Sequence, residues 1–349
     1  MSWYNLPKCH IRPVRQAVSP MHKVSVIIAT YNRPHLLPRA VESARGAGKD
    51  VEIVVVDDAS TKATSEVCRA FDGIRYVRAE RNQRLGGARN LGILASSGEY
   101  ISFLDDDDVR LPGSLDAQAE ALAAAPEAGM VYGQALLGDQ NGAPTGEMYP
   151  TTCPQGDIFW ELLERNFIPC PSALFRRSCL FRIGLPSATL PGIEDWDLWI
   201  RLAELYPVIA VERPVAIYRK ATAASGQFTS DAVGMMRRIT RAHRERWLKL
   251  PRALGAPRAR RQTARRRFSR NMANHLIWET GRCLKGGHLL TAHRNMLAAL
   301  RLHPLGVVHR ATRPSNVRFV LARAAAGRRK AEPPADQRAR SQGRAERGR

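Results

Sequence analysis

Four consecutive aspartates, Asp105 to Asp108, follow the apolar run Tyr100-Ile101-Ser102-Phe103-Leu104 in this 349-residue chain. Adjacent carboxylates repel one another, so a fold gains little by placing them beside a buried strand. A hard divalent cation changes that balance, because Mg²⁺ and similar ions bind carboxylate and phosphate oxygens together. Residues two apart in an extended segment share a face, which lets Asp105 and Asp107 point the same way. The competing reading is a solvated acidic turn that caps a helix starting near Pro112.

Other polar groups stand at comparable places. Thr30-Tyr31-Asn32 follows the apolar run Val24 to Ile28, and Asp57-Asp58 follows Val51 to Val56. Asp58 could bind a ligand or serve as an N-cap or Asx-turn at a strand end. Arg89 lies behind Gly86-Gly87 near the start of a helical stretch, where backbone N–H groups and the helix dipole favour phosphate. A surface ion pair is its alternative. Glu194-Asp195 opens an apolar helix, and the simple reading is an acidic first turn complementing the dipole. Asp197 already supplies that charge in the same turn.

The elements that must position these groups alternate. Strands are expected at Val24 to Ile28, Val51 to Val56, Ile74 to Val77 and Tyr100 to Leu104. Helices are expected at Pro34 to Ala44, Lys62 to Ala70 with Ser60 or Thr61 as N-cap, and Leu85 to Ser96. Such alternation implies βαβ units and a mainly parallel sheet, which binds ligands outside the carboxyl ends of its strands. Thr30 to Asn32, Asp57-Asp58 and Asp105 to Asp108 all fall at that edge. Beyond residue 137 the pattern loosens. Gly138 to Pro154 reads as a long loop or lid, Asp157 to Asn166 as helix, and Ala173 to Leu180 as the lead into another element. Glu194 to Tyr206 reads as an amphipathic helix, and residues 235–302 as helical with a hairpin near Gly286-Gly287.

The charge is distributed unevenly. Residues 221–349 hold thirty Lys and Arg against six Asp and Glu, whereas the rest of the chain is close to neutral, within a whole-chain net charge of +22. A basic block of this kind suits an anionic partner such as a membrane surface or nucleic acid. No run approaches the ~20 apolar residues of a membrane-spanning helix, and residues 1–21 lack an apolar run of signal-peptide length. The six cysteines form no C-x-x-C pair or zinc spacing and read as reduced, mostly buried thiols of a cytoplasmic protein. Residues 324–349, rich in Ala, Arg, Gly, Pro and Gln, read as disordered.

Five segments in order carry a family resemblance: Val24 to Arg33, Val55 to Ser60, Gly87 to Gly92, Phe103 to Asp108 and Glu194 to Trp199. Together they closely resemble inverting glycosyltransferases of family 2, with the GT-A fold, over roughly residues 22–220. The resemblance implies an N-terminal extension (1–21), a catalytic domain (22–225) with a single mixed, mainly parallel sheet flanked by helices, a basic helical region (226–323) and the tail (324–349). It implies a nucleotide-sugar donor, commonly a UDP-sugar, with Ala29, Tyr31, Arg33, Asp58, Arg89, Asp105 and Asp106 around it. Asp58 would accept a hydrogen bond from a uracil N–H, and Asp106 would face the sugar or ribose. Asp107, with Asp105, would hold Mn²⁺ or Mg²⁺ in a D-x-D pattern, although four aspartates also permit the frame Asp106/Asp108. Asp195, beside Glu194, would be the general base that takes the acceptor proton in a single displacement.

Tyr218-Arg219-Lys220 departs from the pattern, since many relatives carry a His after Tyr-Arg. A charged Lys cannot ligate a metal. The Gln-x-x-Arg-Trp of processive relatives is absent, which argues against long-chain polymerisation. The implied partners are the donor, a glycan or lipid-linked acceptor, and an anionic membrane surface met by residues 226–349 at the inner face of the plasma membrane. A sugar nucleotidyltransferase would open with a Gly-rich loop after the first strand, and Thr30-Tyr31-Asn32-Arg33 has no glycine. A nucleic-acid-binding protein ranks lower, because Arg258 to Arg270 has Phe268 as its sole aromatic residue.

Overall fold

A computed structural model describes residues 23–61, 63–219, 231–304 and 306–307 of the chain. Two compact units divide it. One runs to Asp231 and takes in Arg237–Arg261; the other comprises Ala232–Met236 and the residues from Gln262 onward.

The first unit is built on a nine-stranded sheet. Its elements run β1 (Val24–Thr30), α1 (Leu37–Gly46), β2 (Val51–Asp57), α2 (Thr64–Arg69), β3 (Ile74–Arg78), α3 (Arg84–Ala95) and β4 (Tyr100–Asp105). They continue with β5 (Val109–Arg110), α4 (Ser114–Ala124), β6 (Met130–Gly138), β7 (Pro144–Tyr149), α5 (Phe159–Glu164), β8 (Ala173–Arg176), α6 (Leu180–Ile183), α7 (Glu194–Leu205) and β9 (Val208–Arg219). The order β3-β2-β1-β4 is wholly parallel, and antiparallel pairs enter through β8, β7 and β5. This is the mixed, mainly parallel sheet flanked by helices expected from the apolar runs. β1 and β4 read as near-continuous apolar runs because helices cover both faces of the sheet.

On one face Val26, Ile28, Val55 and Leu104 pack with Leu37 and Val41 of α1 and Leu115 of α4. The other face is aromatic beneath the later elements. Phe103 of β4, Phe175 of β8 and Trp199 of α7 stack in sequence with centroids 5.5 and 5.7 Å apart. Each such pair adds about 1 kcal/mol beyond area burial. The stack fixes α7 against the sheet, and with it the height of Glu194 and Asp195 above the strand ends.

Two expectations need correction. Gly138 to Pro154 is not a loop throughout: β7 folds back antiparallel on β6, with Ala135 opposite Tyr149 and Gly138 opposite Pro144. All six β7 residues are exposed, so no alternation of apolar side chains marks the strand. Neither Ser60 nor Thr61 caps α2, which begins at Thr64 without a side-chain cap. Gly86 and Gly87 lie in the first turn of α3, within the helix expected from Leu85, and Arg89 sits in its second turn. The glycines of this helix serve packing. A Cβ on Gly92 would come within 2.3 Å of Ile27 Cγ2, and one on Gly86 within 2.6 Å of the Ser187 carbonyl oxygen.

Cys68, Cys153, Cys170, Cys179 and Cys283 are buried free thiols, as expected; Cys9 lies outside the described residues, as do Lys220 and the segments 1–21 and 324–349. Helices also fill the expected C-terminal range: α8 (Ala232–Glu245), α9 (Pro251–Gly255), α10 (Arg258–Lys285) and α11 (Leu289–Leu302), with Gly286-Gly287 between the last two. No described helix is long and apolar enough to cross a membrane.

Candidate active site

The carboxyl ends of β1, β2 and β4 lie level because the register places Thr30 beside Asp57 and Ala29 beside Asp105. The chain turns sharply after the first two. Asn32 and Ala59 both adopt the left-handed region, with φ of 56° and 62°. Asn tolerates that conformation, whereas Ala meets its own Cβ and pays about 1 kcal/mol. The two turns are tied together: Ser60 Oγ accepts from the Asn32 N–H at 2.9 Å, and Asn32 Oδ1 accepts from the Thr61 N–H at 2.8 Å.

The paired aspartates after β2 have different tasks. Asp57 is held by the Ser60 N–H, the Tyr76 hydroxyl and Arg78 Nη1 at 2.7–2.8 Å. Burial opposes its ionisation, but these donors keep the carboxyl below its ordinary range. Asp58 is buried too, and its Oδ1 accepts the Gln83 N–H at 2.6 Å, which anchors the entry to α3. Burial pushes the Asp58 carboxyl upward. Tyr31 is 46% exposed, while Ala29 is buried at the strand end below it.

The four-aspartate turn divides by direction. Asp106 turns toward β1: its Oδ2 accepts from Thr30 Oγ1 at 2.7 Å, and Oδ1 pairs with Arg33. Burial raises the Asp106 carboxyl to about 7 against the pull of Arg33. Asp105, Asp107 and Asp108 turn together, each offering an oxygen within 4.8 Å of the others. Asp107 Oδ2 is met by Arg219 Nη2 at 2.8 Å and by Arg33 Nη1 at 3.3 Å. Asp108 Oδ1 accepts the Arg219 N–H at 2.8 Å, whereas its buried Oδ2 has no hydrogen-bond partner. Burial, reinforced by Asp105 and Asp107, drives the Asp108 carboxyl well above the ordinary range. An all-oxygen group that includes buried oxygens without a hydrogen bond fits a hard divalent ion. The expected pair, Asp105 and Asp107, is thus joined by Asp108, while Asp106 faces elsewhere.

Arg89 does not present itself as a surface ion pair or an open phosphate contact. Only 2% of its side chain is exposed; Nη2 donates to Asp105 Oδ1 and Nη1 to Glu194 Oε1, both at 2.8 Å. The guanidinium lies 4.9 Å from the Phe103 ring centroid. One buried cation therefore ties the end of β4 to the start of α7. Glu194 is further fixed where Oε2 accepts the Gly192 N–H at 2.7 Å. Burial raises the Glu194 carboxyl against the pull of Arg89.

Asp195 differs from its neighbour. It makes no ion pair among the described residues, and its Oδ1 accepts the Trp196 N–H at 2.6 Å. Burial, followed by the adjacent Glu194, pushes it to about 7. Asp197 belongs to the scaffold, where it accepts from Arg201 Nε and Trp247 Nε1, both at 2.9 Å. The structure thus gathers Arg33, Arg89, Asp105, Asp106, Asp107 and Glu194 through ion pairs, with Asp195 next to Glu194 at the start of α7 and Asp58 and Tyr31 just beyond the neighbouring strand ends. Thr30, Asp108 and Arg219 join them: Thr30 was expected only as part of a polar strand end, Asp108 only in the alternative frame Asp106/Asp108, and Arg219 not as a site residue. Thr30 sat inside a recognised segment, and Asp108 differed in no way from its three neighbours. Arg219 closes a strand that no periodicity announced.

Residues 25–183 match the family model described as glycosyl transferase family 2. An uncharacterised glycosyltransferase of Rickettsia felis is 32% identical over 193 residues, which cover 53% of this chain and 32% of that protein. The succinoglycan biosynthesis protein ExoO of Rhizobium meliloti is 39% identical over 112 residues, or 31% of this chain and 32% of its own. A Campylobacter jejuni enzyme, GalNAc(5)-diNAcBac-PP-undecaprenol beta-1,3-glucosyltransferase, is 41% identical over 101 residues, 27% of this chain and 33% of its own. The chain spans about a third of the length of these three relatives. Among solved structures, S. aureus TarS 1–349 in complex with UDP-GlcNAc superposes with a TM-score of 0.56 at 16% identity, covering 80% of this chain and 79% of TarS 1–349. That likeness establishes the GT-A fold.

Proposed function

We propose that the chain, whose residues 25–183 match the family 2 glycosyltransferase model, moves one sugar from a nucleotide-diphosphate sugar to an acceptor hydroxyl, with inversion at the anomeric carbon. A UDP-sugar is the donor class supported by the TarS complex, whose bound molecule is UDP-GlcNAc. ExoO and the Campylobacter glucosyltransferase support an acceptor in cell-envelope or exopolysaccharide synthesis, either a glycan or a lipid-linked saccharide. The reaction then takes place on the cytoplasmic side, next to the membrane that holds such acceptors.

The observation that carries this reading is the Arg89 bridge. It locks Asp105, at the carboxyl end of β4, to Glu194, which lies 105 residues beyond Arg89 in the chain, and hence to the neighbouring Asp195. Donor and base are thereby held on one rigid frame, as a single displacement requires. The acceptor oxygen attacks the anomeric carbon while Asp195 takes its proton, and the bond from that carbon to the diphosphate oxygen breaks. A carboxylate near 7 is well matched to this task at neutral pH. Arg33 and Arg219, which meet Asp107, stand where they can also neutralise the departing diphosphate. A divalent ion held by Asp105, Asp107 and Asp108 would add Lewis-acid stabilisation of the same leaving group. Tyr31, Asp58 and Ala29 would surround the base and ribose.

The test is Asp195→Asn. Titration calorimetry with UDP is expected to return nearly the wild-type affinity, while transfer falls by roughly 10²–10⁴-fold. Loss of UDP binding with the fold intact would assign Asp195 to the architecture of the site and remove it as the base.

A further inference from the structure

The second unit carries features that the transfer reaction does not use. From Gln262 to Pro304 it holds eight Lys and Arg and a single acid, Glu279, which Arg282 Nη2 neutralises at 2.7 Å. In α10 the residues Ala264, Phe268, Met272, Leu276 and Thr280 recur every four positions and are buried. The opposite side is exposed and basic. Arg267, Trp278 and Lys285 are separated by eleven and seven residues, so they fall on one stripe about 27 Å long. Trp278 is 56% exposed in the middle of that stripe. The helix ends in a tight reversal: the Gly286 N–H reaches the Arg282 carbonyl at 3.1 Å, the His288 N–H reaches the Cys283 carbonyl at 2.9 Å, and Gly287 adopts φ 79°. The first residues of α11 at this tip are Leu289 and Leu290, 67% and 84% exposed. Two leucines at the end of a hairpin, a tryptophan two turns back and a row of basic residues between and behind them make an unusual surface for water.

We propose that the α10–α11 hairpin is a membrane-docking element, with Leu289 and Leu290 entering the acyl boundary and the basic stripe lying on anionic headgroups. Each component has a distinct task. Arginines and lysines are drawn to the anionic bilayer, Trp278 suits the interfacial level, and the leucines supply the apolar contact that lets part of the attachment survive high salt. A polyanion such as RNA would engage the stripe equally well but has no use for two exposed leucines at the tip. This is the feature that favours a bilayer. The inference deepens the membrane-proximal reading of the acceptor and locates the contact in named residues.

The experiment uses the full chain and co-sedimentation with vesicles of phosphatidylglycerol and phosphatidylcholine, or of phosphatidylcholine alone, at low and high salt. Wild type is expected to bind the anionic vesicles and to retain part of that binding at high salt. Leu289→Ser/Leu290→Ser should bind at least tenfold more weakly at low salt and lose what remains at high salt. Arg267→Gln/Lys285→Gln should weaken binding mainly at low salt. Equal binding by wild type and the leucine variant overturns the proposal. So does binding to a single-stranded RNA oligomer that exceeds vesicle binding and ignores the leucines. A leucine variant that changes the mass seen by light scattering but not vesicle binding would identify the tip as a contact between copies, and likewise overturn it. UDP affinity is measured on the same samples. Its absence in wild type would defeat the transferase reading while leaving the vesicle result to stand or fall separately.

Discussion

The four-aspartate turn and the Glu194-Asp195 pair face the same problem, several carboxylates drawn out of water at the rim of one sheet, and they solve it differently. Arg33 and Arg219 meet Asp106 and Asp107 from β1 and β9, while Arg89 is shared between Asp105 and Glu194. Among the described residues two of these carboxylates receive no guanidinium: Asp108 in the turn and Asp195 in the pair. The surroundings of these two diverge. Asp108 stands among further carboxylates with one oxygen orphaned, an arrangement that a cation would relieve. Asp195 keeps a single backbone hydrogen bond and the pressure of burial, an arrangement that a proton would relieve. Under the proposed mechanism the compensated acids hold geometry, and the two left over do chemistry of different kinds.

Removing the shared cation should break this comparison most severely. Arg89→Met leaves buried Glu194 and partly exposed Asp105 without their partner, and loss of one member of a buried pair such as Arg89–Glu194 costs about 3–5 kcal/mol. Thermal unfolding should shift down sharply, and transfer per folded molecule should fall by about a hundredfold or more as α7 loses its tie to β4. Arg89→Lys, which keeps the charge but not the two-pronged fork, should fall between wild type and Met in both readouts. A wild-type melting temperature for Arg89→Met would mean that the two acidic groups are held together by the aromatic stack alone.

A smaller effect separates the turn from the pair. Chelation of divalent ions is expected to weaken UDP binding to wild type by about tenfold, as loss of a charge-neutralising ligand between carboxylate and phosphate should. Asp108→Asn should bind UDP about as weakly with or without chelator, while Asp195→Asn should respond to chelator as wild type does. If chelation leaves UDP binding to wild type unchanged, Arg33 and Arg219 neutralise the turn by themselves and the orphaned oxygen of Asp108 loses its assigned use.

Much of this rim could be read in advance, for a physical reason. Strands buried on both faces are unbroken apolar runs, so the points where Val24 to Ile28, Val51 to Val56 and Tyr100 to Leu104 give way to polar residues mark the sheet edge directly. Asp105 and Asp107 stood out because carboxylates at such points have few structural excuses, whereas Glu194 and Asp195 open a helix, where acids complement the dipole, and stood out only through the family resemblance. Arg89 was legible as a residue of interest but not in its partners. Its two contacts lie 16 and 105 residues away, and they exist only because Gly86 and Gly92 let α3 approach the Ser187 backbone and β1 closely. Glycines that admit a neighbouring element look, in sequence, the same as glycines that admit a ligand. Strand β7 left no trace because an exposed edge strand needs no apolar face. Arg219 was invisible as a partner of Asp107 because β9 reaches the rim by pairing in parallel with β6 at long range, and no local pattern encodes that pairing.

The finest distinction between the two groups is a difference in stability with pH. The Asp195 carboxyl is pushed up in the folded protein to about 7, above its value in the unfolded chain, so its ionisation opposes folding. The sign follows from proton counting. Below about pH 4 the group is largely protonated in both states and contributes little; between about 4 and 7 the unfolded chain releases the proton while the folded state holds it, so stability falls, and the loss is complete once pH passes 7. Asp195→Asn removes that penalty. The variant should therefore melt higher than wild type at pH 8, by about 2–4 °C for each kcal/mol recovered, and match it near pH 4. Scanning calorimetry at the two pH values reads the difference. A gain in stability alongside lost transfer is what a carboxylate kept uncompensated for catalysis should show. A variant that melts lower at pH 8 would instead place Asp195 with Glu194 and Asp105, among the acids that the fold has paired.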